Sequence, residues 1–453
     1  MRQTIAEETI LFASVVKWVV LASFMGGVVG LAAVGFLSLL SWATGQADKQ
    51  QYVFLFMPFA FFVSALLTQY LAPDAKGHGT EKVIEAVHRR ASVIPIAVVP
   101  VKLLATVVTL AAGGSAGKEG PCAQIGAGLA SFFAQVFRFD ENDRKKLVIC
   151  GISAGFASVF GTPIAGAIFG VEVLFVGGLL YDVLLPSFVA GMVAYQVSAL
   201  FGICGVLPAP LEVPAITGVL FVKVLMAAAI FGVFSLLLIK GLQMGGALFA
   251  RVRIWAPFKA ALGGAILIAL ALVFGRQYLG LGTHTIDSCL RGETVSWAAP
   301  FLKIVFTSIT LGCGGSGGVV TPIFFVGASA GSAVAHLLGM NPEMMSAIGL
   351  VCLLAGAANT PIAASIMAVE LFGSAVGPYA AVACVVSYLM TGHRSVYPSQ
   401  VIAVRKSASL NVELGREMRQ IEAVYQHRKH TLADYLLTLW EAATGKWKKG
   451  GRA

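Results

Sequence analysis

The chain has 453 residues, of which 57% are hydrophobic and only 12% charged, with a formal net charge of +10 and a mean hydropathy of +0.84. A soluble chain of this length carries far more charge on its surface, so the composition excludes an ordinary soluble enzyme and points to a membrane protein. The seven Cys (Cys122, Cys150, Cys204, Cys289, Cys313, Cys352, Cys384) stand singly, with no CxxC and no His at ligand spacing. This argues against a disulfide framework or a zinc site and leaves them as small buried hydrophobes.

Taken in chain order, largely apolar runs extend from Ile10 to Trp42, Tyr52 to Leu71, Leu103 to Ala112, Val219 to Ile239 and Ala260 to Phe274, then onward to about Met390. The first has no small-residue cleavage site, so it reads as a retained spanning helix rather than a signal peptide. Crossing the hydrocarbon core takes about 20 apolar residues in a helix, and several runs are shorter or cut by Gly or Pro. Tilted, broken and re-entrant helices are expected, and these survive at membrane depth only where protein or a cavity surrounds them. After Val404 ten Lys or Arg face five acidic residues, with the amphipathic stretch "TLADYLLTLWEAA" before the final "TGKWKKGGRA". Positive charge accumulates on the cytoplasmic side, so the termini are expected inside, with residues 405–453 forming a basic amphipathic tail on the bilayer or under the protein. The tail is too short and too mixed in sign for a nucleic-acid arm.

The chain repeats itself. "GHGTEKVIEAV" from Gly77 returns as "GLGTHTIDSCL" from Gly280, "GGSAGKEGPCAQIGAGLA" from Gly113 as "GGSGGVVTPIFFVGASAG" from Gly314, and "TPIAGAIFGVEVL" from Thr162 as "TPIAASIMAVELF" from Thr360. Three matches in one order, at offsets of 203, 201 and 198 residues, divide the chain into halves at about 10–205 and 210–400. A duplicated membrane unit is the mark of transporter-like folds, often inverted, with the substrate held where broken helices of the two halves meet. An odd number of crossings per half would require the inversion.

Both copies of the central motif place a Gly-rich stretch before Pro121 or Pro322. Pro suits the first turn of a helix, and Gly lets backbone approach a ligand. Each copy therefore presents a helix N-terminus, with free N–H groups and about half a positive charge, at a buried place. Two such ends make an anion site without a net charge, able to offset a desolvation cost on the order of 20 kcal/mol and still release the ion.

Glu119 lies in the first motif, and its counterpart in the second is Val320. An acid carried by one copy alone is read as a tethered competitor for the anion's amides, against the alternative of a helix-capping acid. Lys118 is expected to snorkel or set the local field. Glu172 and Glu370 follow Pro163 and Pro361 at equal spacing, and their presence in both copies marks them as structural acids at helix ends, expected to face water. "GGSAGKEG" is not a nucleotide loop: Gly113 and Gly117 are separated by three residues and Glu119 follows Lys118, where G-x-x-x-x-G-K-[ST] needs four and a hydroxyl. The "GGSG" around Ser316 raises an intramembrane serine protease as a remote alternative, with His336 and His393 as formal bases. The matching Ser115 has no catalytic setting, so no enzyme activity is expected.

These segments resemble the CLC family of chloride channels and chloride/proton antiporters, of the prokaryotic type without CBS domains, over almost the whole chain to about residue 404. "GKEGP" (Gly117–Pro121) matches the family's most specific motif, "PVKLL" (Pro100–Leu104) and "FGTPIAGAIFGVEVLF" (Phe160–Phe175) look like family segments, and "SGGVVTP" corresponds to G-x-F-x-P with Val320 where Phe is usual. "GHRSVYPSQ" puts Tyr397 where the family has a Tyr hydroxyl facing the central anion. The resemblance implies an all-α polytopic fold of two inverted repeats, with about eighteen tilted, broken helices per subunit, in a homodimer within the lipid bilayer of a bacterial inner membrane. It implies chloride as the permeant ligand, with protons as a second, no other cofactor, no metal and no nucleic acid.

The resemblance also implies Glu119 as the gate, and anion ligands among Gly77, His78, Gly79, Lys118, Glu119, Gly120, Gly318, Val319, Val320 and Tyr397. Two departures bear on mechanism. His78 replaces the Ser of the family's G-S-G-x-P motif, so either an imidazole lines the pore or only the amides of this stretch serve the ion. Val173 stands where exchangers of the family carry an acid that passes protons inward. The expected function is chloride transport, passive or weakly proton-coupled and gated by Glu119. The alternative is a stoichiometric chloride/proton antiporter with a substitute inner route through water or Glu172.

Overall fold

The computed structural model describes residues 2–203, 211, 213–214, 217–421, 424–425 and 434–435. The first half contains α1 (Arg2–Asp48), α2 (Met57–Tyr70), α3 (Gly79–Arg89), α4 (Val98–Ala111), α5 (Glu119–Val136), α6 (Glu141–Phe160), α7 (Pro163–Glu172) and α8 (Leu184–Leu200). The second repeats them as α9 (Gly218–Arg251), α10 (Ala256–Phe274), α11 (Thr283–Leu290), α12 (Ala299–Cys313), α13 (Val320–Leu338), α14 (Pro342–Ala358), α15 (Pro361–Phe372) and α16 (Gly377–Met390). The expected eighteen become sixteen α-helices among the described residues, because several connections close as short 3-10 turns, such as Val53–Phe56 and Tyr181–Val183. Two small ladders complete the fold: β1 (Phe175–Val176) parallel to β2 (Val401–Ile402), and β3 (Leu410–Asn411) antiparallel to β4 (Val424–Tyr425).

Local chemistry sets the helix limits in the same way in both halves. The Asp140 side chain caps α6 by accepting from Asp143 N at 2.8 Å, and the helix stops at Gly161 in the left-handed conformation. The Asn341 side chain caps α14 by accepting from Met344 N at 2.9 Å, and this helix stops at left-handed Asn359. Satisfied ends of this kind fix where a chain turns at depth. Pro163 and Pro361 then open α7 and α15.

Long apolar helices surround short, buried ones. Among the described residues, six helices are long and apolar enough to cross a membrane; the most apolar stretch of α1 is 39% buried, whereas that of α13 is 89% buried. Inside, helix pairs pack backbone to backbone at glycines. A Cβ at Gly151 would meet Gly126 O at 2.5 Å, and one at Gly327 would meet Gly349 O at 2.5 Å. Lipid offers no hydrophobic drive between helices, so such small-residue seams supply the packing.

The halves meet about a local two-fold axis. Gly117 N donates to Gly318 O at 2.7 Å and Gly318 N donates to Gly117 O at 2.6 Å, an antiparallel bridge joining equivalent residues of the two motifs. Contacts around it come in reciprocal pairs: the Thr106 and Ser316 hydroxyls at 3.1 Å, and those of Ser115 and Thr307 at 3.1 Å. The two repeats are related by this two-fold, in keeping with the inverted arrangement that the family resemblance implies.

The chain beyond Val404 is not wholly a separate tail. Val412 and Met418 are buried with Val176 and Ile402, which holds residues up to 421 against the helical body. The stretch "TLADYLLTLWEAA" lies almost entirely outside the described residues.

Candidate anion site

Across the bridge, α5 and α13 begin at equivalent positions, Glu119 and Val320, each two residues beyond its bridged glycine, so their N-termini abut. The amides of Lys118, Glu119, Val319 and Val320 donate to no backbone carbonyl among the described residues. Those of His78 and Gly79, where α3 begins, likewise have no such acceptor. The first turn of a helix leaves these groups unpaired by geometry, and three helix starts converge here: a Cβ at Gly120 would stand 3.1 Å from Gly318 Cα and 3.4 Å from Gly79 N. Glycine at this place lets three backbones come together around one small volume.

Glu119 is 1% exposed and turns across the interface between the halves. Its carboxylate accepts from Thr321 N at 3.1 Å and from the Thr321 hydroxyl, and it folds over Gly117, where a Cβ would collide with it. An acid of repeat 1 therefore occupies the N-terminus of repeat 2's helix. Thr321 is the functional residue that sequence reasoning missed. The signal was present, since Thr321 stands in the second copy where the first has Gly120, but only the fold shows that its hydroxyl and amide reach Glu119.

The other expected ligands divide. Gly77 has φ +77° and turns its carbonyl to Lys102 Nζ at 2.5 Å; the same Nζ reaches Ala75 O at 3.1 Å. Lys303, its repeat mate, holds Tyr278 O at 3.2 Å and Gly280 O at 2.9 Å. Both lysines are fully buried, and each gathers two carbonyls of the loop that leads into α3 or α11. Gly318 is a correction: its N–H is spent on Gly117 O in the bridge, so its amide is not available to an anion. Lys118 is half-buried at the start of α5.

His78 and Tyr397 face each other with ring centroids 5.9 Å apart. His78 Nδ1 and the Tyr397 hydroxyl are both inaccessible to solvent and have no partner at full hydrogen-bond geometry, although the Thr80 hydroxyl lies beside that of Tyr397. Two orphaned polar atoms thus lie on facing rings beside the helix starts, where buried polar atoms otherwise find partners. Val173 is buried at the end of α7, its carbonyl accepting from Gln400 Nε2 at 2.8 Å, and offers only an apolar side chain.

Glu172 and Glu370 are helix-end acids; the expectation that they face water is corrected for Glu172, whereas Glu370 keeps partial exposure. Glu172, 5% exposed, accepts from Ile362 N at 3.0 Å and Ala363 N at 2.8 Å at the start of α15. Glu370 accepts from Ile164 N at 3.0 Å and Ala165 N at 2.8 Å at the start of α7. Each half caps a helix of the other. His336 and His393, the formal bases for Ser316, are engaged elsewhere or apart from it: Ser316 bonds Thr106, and His393 Nε2 accepts from Lys406 N at 3.2 Å.

The comparisons bear on the family and the fold. Residues 59–392 match the model of the voltage gated chloride channel family. The "Chloride/fluoride channel protein" of Pseudomonas syringae pv. tomato is 36% identical over 408 residues, covering 88% of this chain and 90% of that one. The "Voltage-gated ClC-type chloride channel ClcB" of Shigella flexneri is 30% identical over 316 residues, 66% of this chain and 74% of its own. The crystal structure of a CLC-type fluoride/proton antiporter superposes with a TM-score of 0.82 at 28% identity, covering 86% of this chain and 98% of its own. With its inverted repeats meeting at Glu119 and Thr321, the chain belongs to the voltage-gated chloride channel family, the CLC family.

Proposed function

We propose that the protein conducts small anions, chloride first among them, passively or with weak proton coupling, through a path gated by Glu119. The observation that carries this reading is the Glu119 carboxylate on Thr321 N: a tethered anion holds the helix-end amide that a permeating one would take. Protonation or displacement of that carboxylate frees the amide, and partial backbone charges let the ion go again. The buried, apolar Val173 supports weak coupling, since it can hold no proton on the inner side. The relatives named as chloride and chloride/fluoride channels fit this reading.

A stoichiometric anion/proton antiporter is the second reading, favoured by the structural likeness to a fluoride/proton antiporter. Its inner proton route would run through water, since the Glu172 carboxylate is engaged as a helix cap. In either case we place the face carrying residues 400–421 in the cytoplasm and the chain in a homodimer.

Reconstitution into liposomes under a chloride gradient, with a pH probe inside, separates the two. Collapse of the gradient with little proton movement is expected, and uphill proton pumping would establish the exchanger. The same vesicles loaded with fluoride, bromide or nitrate give the selectivity order. Glu119→Gln is expected to abolish proton movement and change anion flux; unchanged flux and coupling would remove Glu119 from the gate.

A further inference from the structure

Tyr397 is fully buried, its ring faces that of His78, and it sits on a stretch, residues 391–400, that forms no helix or strand. A side chain on such a loop can act on an ion with precision only if its backbone is held in place. Both sides of Tyr397 are held. Its N–H donates to Ser395 Oγ at 2.9 Å, and its carbonyl accepts from Gln400 N at 3.1 Å. Ser395 Oγ in turn donates to Gln400 Oε1 at 2.6 Å. Two residues after Tyr397, Ser399 N donates to the Glu81 carboxylate at 3.1 Å, in the first turn of α3.

Gln400 is fully buried, and its side-chain amide has both hydrogens and both acceptor sites in use. Nε2 donates to Val173 O at 2.8 Å, at the end of α7, and to Ala358 O at 2.8 Å, at the end of α14. Oε1 accepts from Asn359 Nδ2 at 3.1 Å as well as from Ser395. The Asn359 amide is itself anchored, its Oδ1 accepting from Lys406 Nζ at 2.6 Å. One side chain thus joins a helix of each repeat to the loop of Tyr397. An apolar side chain of the same size would fill this volume equally well, so packing alone does not call for an amide here. A fully satisfied polar group specifies one arrangement of its neighbours. The Tyr397 hydroxyl is the contrast: closed to solvent and without a partner at full hydrogen-bond geometry, it is left open to a ligand.

We propose that Gln400 is a positioning residue of the anion path: its amide, through Ser395, holds the Tyr397 hydroxyl where it donates to a passing anion and favours chloride over weaker acceptors. This rests on the reading of the chain as an anion path. A fixed O–H donor is worth most to a compact ion with concentrated charge, and less to nitrate, whose charge is spread over its oxygens. A donor that wanders gives up that difference. The group beside Val173 is also an amide, which neither takes up nor releases a proton near neutral pH, so this tie adds no inner proton station.

The test is the ratio of chloride to nitrate efflux from liposomes loaded with both, read by ion-selective electrodes. A ratio taken on one preparation does not depend on how much of the protein is folded, so a purely structural defect leaves it unmoved. Gln400→Met keeps the volume and removes the side-chain bonds, and Tyr397→Phe removes the hydroxyl. Each is expected to lower the ratio about threefold, the size of one modest hydrogen bond. The double variant is expected to fall no further than either alone, since without the hydroxyl nothing remains to be placed. A ratio unmoved in Gln400→Met, or falls that multiply in the double variant, would overturn the proposal. Where Gln400→Met does not fold, Ser395→Ala takes its place, because it removes the hydroxyl that links Gln400 Oε1 to Tyr397 N. The same fall is expected there, and an unmoved ratio would overturn the proposal as well. A natural chain that passes neither anion would instead overturn the anion-path reading itself.

Discussion

The two halves of this protein have nearly the same architecture and different chemistry. Where their residues match, they support each other: Lys102 and Lys303 each gather two carbonyls, Glu172 and Glu370 each cap a helix of the opposite half, and Gly117 and Gly318 exchange amide bonds. Where they differ, at Glu119 against Val320, Gly120 against Thr321, His78 against Leu281 and Glu81 against His284, the differences lie along or beside the anion path. Symmetric positions carry the scaffold, and broken symmetry carries the transport. An inverted repeat left wholly symmetric would present the same surface to both sides of the membrane and would have no residue to gate it.

The sharpest way to break this contrast is to make the halves alike. Glu119→Val gives repeat 1 the residue of repeat 2 and frees the Thr321 amide. The carboxylate's charge-assisted bonds are worth about 2 kcal/mol, so chloride flux in vesicles is expected to rise about tenfold or more, with proton movement lost. Thr321→Gly, which gives repeat 2 the residue of repeat 1, removes the hydroxyl but leaves the amide, and a smaller rise is expected. Flux unchanged in both would mean that the asymmetry at this point has no role in gating.

The symmetric lysines are read first in stability and then, with a smaller effect, in flux. Removing either Nζ leaves two loop carbonyls without a donor, costing about 3 kcal/mol at about 1 to 3 kcal/mol per buried group. Lys102→Met and Lys303→Met are expected to lower the thermal unfolding midpoint in detergent by similar amounts. They should separate in flux: Lys102 holds Gly77 directly before His78, whereas Lys303 holds Gly280 directly before Leu281. Equal flux loss per folded molecule would show that both loops line the path.

Much of this was legible before any coordinates. The repeat, the helix starts of its two central motifs and the lone Glu119 follow from residue type and spacing, because helix starts and duplicated motifs leave local marks, whereas the meaning of Val173 comes from the resemblance to the family. What did not follow was contact between distant residues. That Gly318 spends its amide on Gly117, that Thr321 holds Glu119, and that Glu81 reaches Ser399 across 318 positions depend on how the halves are docked, which no local pattern encodes. The prediction that Glu172 faces water failed for the same reason: a helix-end acid looks alike in sequence whether water or another helix's amides satisfy it.

The smallest expected effects come from those two acids, and they bear on coupling. Each carboxylate accepts two amides at the start of a helix, and an amide oxygen can keep one such bond but not the charge. Glu172→Gln is expected to cost about 1 kcal/mol of stability, and Glu370→Gln less, because water reaches the half-exposed Glu370 and replaces part of what is lost. Flux per folded molecule is expected to stay the same in both, and so is any proton movement that remains. Proton movement lost in Glu172→Gln but kept in Glu370→Gln would break the equivalence of the pair. It would make Glu172 an inner proton station beside the apolar Val173, and the exchanger would then replace the channel as the better account of this chain.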